Sequence, residues 1–159
     1  MAVRTPALLD GAELEAWRSY LQSHASILRE LDADLAADHG LTTRDYEVML
    51  YLAQSEERML PMSVLAHSTM LTRSGITRLI DGLVTGGMIE RVSCAKDARV
   101  SYARLTDSGY EKLRVAGASH VASIRRLFLE RFSAEEIELL ATLLSRLPGA
   151  RGGTSCTVE

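Results

Sequence analysis

The segment from Met62 to Thr106 constrains the fold most, because it contains one strongly amphipathic helix, from about Thr72 to Thr85. Apolar side chains recur there at the three- and four-residue spacing that covers one face of a helix: Ile76, Leu79, Ile80, Leu83 and Val84. Gly75 and Gly82 each weaken such a helix by about 1 kcal/mol relative to alanine. We therefore expect packing of the apolar face, and not helix propensity, to stabilise it.

Short elements flank this helix on both sides. Pro61 begins a short helix, from about Met62 to His67, and Gly86-Gly87 ends the longer one. Two short strands follow, Met88 to Ser93 and Arg99 to Leu105, on either side of a polar tip. This order of helix, turn, helix and hairpin predicts a winged helix-turn-helix, a shape whose second helix fits the major groove of DNA.

A long helix precedes this unit, from about Ala12 to Ala37, and His39-Gly40 ends it. Its apolar seam repeats at alternating spacings of three and four residues: Leu14, Trp17, Leu21, His24, Leu28, Leu31 and Leu35. At 1.5 Å per residue the helix extends roughly 40 Å, which is too long for a small winged domain to cover. Part of its apolar surface therefore needs another partner.

Three capping signals predict the remaining helices. Thr42-Thr43-Arg44-Asp45 begins the second helix, Thr106 caps the fifth, and Ser133-Ala134-Glu135-Glu136 begins the sixth. We predict a fold that is mainly α with a small β hairpin (α+β), a winged helix-turn-helix with N- and C-terminal dimerisation helices. The predicted domains are a helical dimerisation region at 1–38 and 107–147, a winged helix-turn-helix DNA-binding domain at 39–106, and a disordered tail at 148–159.

Charge is distributed unevenly along the chain. The 159 residues carry a net charge of −3, yet from His67 to Thr106 six basic residues outnumber three acidic ones, a local charge of +3. The remainder therefore carries −6. A basic region on an acidic body is the asymmetry expected when one face meets phosphate.

The polar face of the amphipathic helix has side chains suited to DNA. Arg73 and Arg78 can donate paired hydrogen bonds to guanine or to phosphate. Ser74 and Thr77 are short enough to enter the groove, and the helix N-terminus at Thr72 adds backbone donors for a phosphate. We predict that all five residues contact double-stranded DNA.

The hairpin tip is the second predicted DNA contact. Arg99 is placed to enter the minor groove beside the site, where a narrow groove concentrates negative potential. Asp97 can hold that guanidinium by an ion pair, and Lys96 adds a further positive charge. An ordinary surface salt bridge is the alternative for Asp97 and Arg99.

Three stretches together resemble the MarR (multiple-antibiotic-resistance regulator) family: Ser63-Val64-Leu65-Ala66, the run Thr72 to Asp81, and Asp97-Ala98-Arg99 closing on Leu105-Thr106-Asp107-Ser108-Gly109. The resemblance extends from about Leu14 to Leu147. It implies a homodimeric bacterial transcription factor with intertwined terminal helices, in many cases a repressor released by a small anionic or phenolic effector. Gly82 departs from the family, which often has Arg or Lys there, and the tip Cys94-Ala95-Lys96 lacks the usual Pro or Gly.

The same resemblance implies a ligand pocket between the first, second and fifth helices. Trp17, Tyr20, His24 and Tyr46 are the aromatic or polar residues best placed to line it. Because Trp17 and His24 also occupy seam positions, core or dimer contacts are the alternative for these two.

Other classes of protein find little support. Cys94 and Cys156 form no Cys-x-x-Cys pair, the four histidines lack helical i, i+4 pairing, and no nucleophile triad or phosphate loop is present, so we predict no metal, no cofactor and no enzyme. The first ten residues contain no signal peptide, and no stretch approaches the roughly 18 apolar residues of a membrane span. We expect a cytoplasmic protein.

Two alternative functions remain open from the sequence. Oxidation of Cys94 would disturb the hairpin that presents Arg99, which would make the protein a thiol-based redox regulator. A winged-helix module that binds protein partners and not DNA is the second alternative. It differs in requiring none of Arg73, Arg78 and Arg99.

Overall fold

The computed structural model describes residues 9–93 and 100–148, and within these ranges the chain is mainly helical with one small sheet. The helices are α1 (Gly11–His39), α2 (Thr43–Ala53), α3 (Met62–Ser68), α4 (Arg73–Thr85), α5 (Asp107–Leu127) and α6 (Ala134–Leu144). The strands are β1 (Met59–Pro61), β2 (Ile89–Ser93) and β3 (Ser101–Leu105). The predicted fold class is confirmed, and the tail from residue 149 onward lies outside the described residues.

The sheet has three antiparallel strands in the order β1-β3-β2, one more strand than the sequence predicted. β2 and β3 form the hairpin, with Ile89 opposite Leu105 and Ser93 opposite Ser101. β1 pairs with the other edge of β3, and Leu60 lies opposite Ala103. The predicted hairpin is confirmed, but the sequence missed β1, because a three-residue strand that ends in proline is too short to show the alternation that marks a strand.

Local capping signals fixed the helix ends. Thr42 and Asp45 form a reciprocal capping box at α2, and Ser133 and Glu136 form another at α6. Gly40 ends α1 in the left-handed region, with φ of 66°, where glycine avoids the steric cost of a side chain. These predicted ends are confirmed to within one or two residues.

The core lies between α2, α3, α4, α5 and the sheet. Its buried apolar residues are Leu35, Leu41, Val48, Met49, Leu52, Leu65, Ile76, Ile80, Leu83, Ile89, Ala103, Leu105, Leu113 and Ala116. The seam of α1 joins this core near its C-terminal end, through Leu35, and Leu31 is buried one turn earlier. Trp17, Leu21 and Leu28 remain 50%, 45% and 41% exposed in the single chain. Among the described residues, no helix combines the length and apolarity needed to cross a membrane.

The turn from β3 into α5 depends on a close backbone approach. Thr106 caps α5, and its hydroxyl donates to the carbonyls of Gly87 and Met88 at 2.8 and 3.1 Å. Gly109, in the first turn of α5, is buried against the backbone of Met88, the residue before β2. A Cβ at Gly109 would lie 2.1 Å from the Met88 carbonyl oxygen, far inside van der Waals contact. A side chain at position 109 can therefore be accommodated only if the backbone moves.

We expect Gly109→Ala to lower the free energy of unfolding by about 1–3 kcal/mol or more, because overpacking here meets backbone. Gly82→Ala is the matched control, since nothing lies within 4 Å of its Cβ position and it sits within α4. That substitution should raise stability by about 0.5–1 kcal/mol through helix propensity. Urea unfolding of both variants measures the two changes, and equal effects of the same sign would contradict the packing account.

Candidate nucleic-acid interface

α4 buries most of its apolar residues and exposes its polar ones. Ile76, Ile80 and Leu83 are buried, and α4 packs against α3 and β2. The five residues predicted to contact DNA on this helix are exposed: Thr72, Arg73, Ser74, Thr77 and Arg78. Together with Asp81 they line one shallow surface depression. The structure therefore brings the predicted helix contacts together on a single outward face.

The N-terminus of α4 is held by local hydrogen bonds. The Thr72 hydroxyl accepts from the Gly75 amide at 3.1 Å and lies 3.2 Å from the hydroxyl of Ser74. The turn before it passes through Met70, whose φ of 53° places a non-glycine residue in the left-handed region. The Leu71 amide donates to the Ala66 carbonyl at 3.0 Å and ties this turn to α3. These contacts fix the direction in which α4 leaves the turn.

Ion pairs determine which arginines remain available for a partner. Arg91 on β2 pairs with Asp81 at 2.7 Å, and Arg104 on β3 pairs with Glu90 at 2.7 Å. Within residues 9–93 and 100–148, neither Arg73 nor Arg78 has an ion pair with a carboxylate. The positive charge on the exposed face of α4 is thus not neutralised by those residues.

The sequence did not single out Arg91. Its guanidinium donates to the carbonyl of Thr77 at 3.4 Å as well as to Asp81, so one side chain joins β2 to two turns of α4. The sequence did indicate that Asp81 and Thr77 lie on one face of the helix, because they are four residues apart. The partner for that carboxylate, ten residues later on a strand, could not be read from helical spacing.

The wing is described only at its base. β2 and β3 stay in register up to the pair Ser93 and Ser101. The tip residues Lys96, Asp97 and Arg99, which the sequence predicts to contact DNA, lie outside the described residues, as does Cys94. Their roles remain predictions.

Comparisons with known proteins agree with this geometry. A family model described as MarR family matches residues 39–100. The crystal structure of AbsC, a MarR family transcriptional regulator from Streptomyces coelicolor, is 33% identical, covers 87% of this chain and 93% of its own, and superposes with a TM-score of 0.81. The chain belongs to the MarR family of transcriptional regulators. This confirms the resemblance inferred from the sequence.

Two further MarR-type relatives bear on function. Sco3205 from Streptomyces coelicolor, solved in complex with DNA, is 32% identical over 89% of each chain, with a TM-score of 0.82. The transcriptional repressor YetL from Bacillus subtilis (strain 168) is 25% identical over 143 residues, which is 90% of this chain and 84% of YetL. The family is one of DNA-binding transcriptional regulators and not of enzymes.

The four residues predicted to line a MarR-type ligand pocket do not come together. Trp17, Tyr20 and His24 form a stack along α1, with successive ring centroids 6.1 Å apart. Tyr20 and His24 line a cavity of about 570 Å³ between α1, the end of α5 and α6. Tyr46 is not among its lining residues. This cavity therefore does not bring all four residues together, and a ligand pocket between the first, second and fifth helices stays a prediction.

The rise of α1 explains the separation. α2 meets α1 at Asp32, whose carboxylate accepts from the Thr43 amide at 2.6 Å. Tyr20 lies twelve residues earlier in α1, about 18 Å along the axis at 1.5 Å per residue. A residue of α2 such as Tyr46 consequently reaches the C-terminal half of α1 and not the aromatic stack.

Tyr46 instead packs on His120 of α5, at the junction of α1, α2 and α5. The ring centroids are 4.6 Å apart, and Gly117 gives the Tyr46 hydroxyl room, since a Cβ there would lie 3.3 Å from it. His120 is only 9% exposed, and its buried Nδ1 has no hydrogen-bond partner in the described structure. Burial lowers the pKa of His120 below its usual value, because desolvation disfavours the imidazolium.

This burial predicts a stability that falls in acid. The lowered pKa means that the unfolded chain binds a proton on His120 before the folded chain does. Stability from this group is therefore fully present above about pH 6.5 and is lost as the pH falls from there toward the lowered pKa, by up to about 1.4 kcal/mol per pH unit. We expect His120→Phe, which keeps a ring against Tyr46, to make the decline between pH 7 and pH 5 shallower.

Urea unfolding across that pH range measures the effect. His67→Gln serves as the control, because His67 is exposed at the end of α3. It should retain the wild-type pH profile. A His120→Phe variant whose stability declines as steeply as that of the wild type would rule out His120 as the cause.

Proposed function

We propose that this protein is a homodimeric, sequence-specific transcriptional repressor that binds a near-palindromic operator, with one α4 reading each half-site. The observation that carries the proposal is the exposed face of α4, where Arg73 and Arg78 project without a carboxylate partner among the described residues. Sco3205 is a relative that binds DNA, and YetL is a relative named as a repressor. A two-fold dimer calls for half-sites about one helical turn apart.

Each part of the exposed α4 face has a role in this proposal. Arg73 and Arg78 can donate two hydrogen bonds each to a guanine edge or to phosphate oxygens. Thr72, Ser74 and Thr77 are short, so they let the helix approach the base edges closely. The tip residues Lys96, Asp97 and Arg99 complete the proposed contact, with Arg99 in the adjacent minor groove.

The proposed dimer contact is the helical region at 1–38 and 107–147. In the single chain, α6 has no buried residue, although its apolar side chains recur at helical spacing. Exposed apolar residues are shared between the two ends of the chain: Trp17, Leu21 and Leu28 on α1, and Leu139, Leu143, Leu144 and Leu147 in or after α6. Leu28 of α1 and Leu144 of α6 line one cavity. Exposed apolar residues grouped in this way mark an interaction surface, and a second copy of the chain supplies a matching one.

The proposal includes release by a small anionic or phenolic effector. The cavity of about 570 Å³ between α1, α5 and α6 has the size of a small-molecule site and an apolar lining. Tyr20, His24 and Arg131 supply polar groups to it, which suits an aromatic ring bearing a hydroxyl or a carboxylate. Because this cavity lies beside the proposed dimer contact, a ligand there would change how the two copies meet.

The alternative hypothesis is a winged-helix module that binds proteins and not DNA. DNA-binding experiments with the purified protein distinguish the two hypotheses. Genomic fragments retained at physiological salt should share one inverted repeat, and affinity for it should fall steeply as salt rises. Arg78→Ala should weaken binding by about 1–3 kcal/mol, because a paired donor to base or phosphate is lost. Fluorescence anisotropy with a duplex carrying the repeat measures both effects.

Arg114→Ala is the control for that experiment. Arg114 is exposed and pairs with Glu111 on α5, so its removal changes the net charge equally without touching α4. It should leave affinity nearly unchanged. Fragments without a common inverted repeat, or an Arg78→Ala variant as tight as the wild type, would exclude sequence-specific DNA reading by α4.

The dimer is tested by mass in solution. Sedimentation equilibrium of the full chain should give twice the 17.4 kDa of one copy. A Leu21→Glu/Leu143→Glu variant should shift this toward the monomer, because it places carboxylates in the proposed apolar contact. Val84→Glu adds a carboxylate at an exposed aliphatic position on α4 and should remain dimeric. A wild-type chain that stays monomeric at micromolar concentration would refute the dimer.

A further inference from the structure

Resting on the proposed function, we propose that Arg91 is a positioning residue for DNA binding: it holds the Asp81 carboxylate so that Asp81 does not pair with Arg78. The contacts between these groups supply the argument. Asp81 shares the surface depression of α4 with Arg73 and Arg78, and it is the acidic member of that lining. A carboxylate on a face that meets phosphate is repelled by it unless a cation compensates the charge.

Arg78 is the nearest competing partner for Asp81 on the helix. Residues three apart in a helix are surface neighbours, with Cβ atoms about 5–6 Å apart, and oppositely charged side chains at this spacing attract each other. Without Arg91, Asp81 would therefore form an ion pair with the guanidinium of Arg78. A captured Arg78 would have to break that pair before it could donate to DNA.

Arg91 removes this competitor from the adjacent strand. Its guanidinium lies 2.7 Å from Asp81 Oδ1 and also donates to the Thr77 carbonyl at 3.4 Å. Its side chain is 34% exposed, against 60% for that of Asp81, so Arg91 is the more enclosed of the two. With its donors directed at α4, Arg91 leaves Arg78 as the group free to meet a phosphate or a base edge.

Affinity and salt dependence test the proposal on a duplex bearing the recovered inverted repeat. R91Q should weaken binding about tenfold and lower the salt slope by about one, because one cation is lost to Asp81. The double variant R91Q/D81N should recover affinity to within about threefold and restore the slope, because no carboxylate is left to capture Arg78. R104Q breaks the equally short Arg104–Glu90 pair on the same sheet and should change neither quantity by more than about twofold.

A double variant as weak as R91Q would overturn the proposal, since it would show that Arg91 touches DNA itself or only supports the wing. An R91Q variant equal to the wild type would overturn it as well. If the wild type retains no inverted repeat, the proposed function is wrong. The proposal that Arg91 keeps Asp81 from pairing with Arg78 is then tested by a second measurement.

That second measurement uses no DNA. Phenylglyoxal modifies arginines, and a guanidinium paired with a carboxylate reacts more slowly, so peptide mass spectrometry reports the state of Arg78. Its rate should fall in R91Q and return in R91Q/D81N. D81N alone should leave the rate at the wild-type value, because Arg91 already holds Asp81. A faster Arg78 in D81N would show that Asp81 pairs with Arg78 in the native protein, and would overturn the proposal even if R91Q fails to fold.

Discussion

Burial of Ile76, Ile80 and Leu83 fixes the direction in which α4 faces, and the chemistry of the surface depends on that direction. Each of these side chains is at most 3% exposed, and burial of one such side chain contributes about 1.5–3 kcal/mol. The two glycines of the helix together oppose this by only about 2 kcal/mol, so packing prevails. Because a helix repeats every 3.6 residues, the same burial leaves Arg78 on the opposite face, toward solvent. Arg73 is exposed because it lies in the first turn of α4.

The ion pairs around α4 matter for charge distribution more than for stability. Exposed pairs such as Arg91–Asp81 and Arg104–Glu90 contribute at most about 1 kcal/mol each. Their effect is to place Asp81 of α4 and Glu90 of β2 against arginines of the sheet, and not against Arg73 or Arg78. Among the residues that the structure describes, Arg73 and Arg78 on the exposed face of α4 therefore remain without a paired carboxylate.

The sequence predicted what depends on neighbours a few residues apart, such as the capping box at Thr42, the glycine stop at Gly40 and the two faces of α4. It failed where a structure depends on distant partners. β1 is a strand only because β3 pairs with it, and its three residues show no pattern of their own. Helical spacing likewise gave no indication that Tyr46 packs on His120 of α5. Helical spacing gives the face on which a residue lies, but not which distant residue it contacts.

The two proposed regions are joined by contacts that make their coupling physical. On one side, Asp34 of α1 accepts from Ser123 at 2.6 Å and from Arg126 at 2.8 Å on α5, and these partners lower the pKa of that carboxyl. On the other side, Tyr46 of α2 packs on His120 of the same helix. α5, itself part of the proposed dimer region, therefore contacts both α1 and the first helix of the winged domain. A ligand that favoured one spacing of the two copies by about 2.7 kcal/mol would change operator affinity about 100-fold through these contacts.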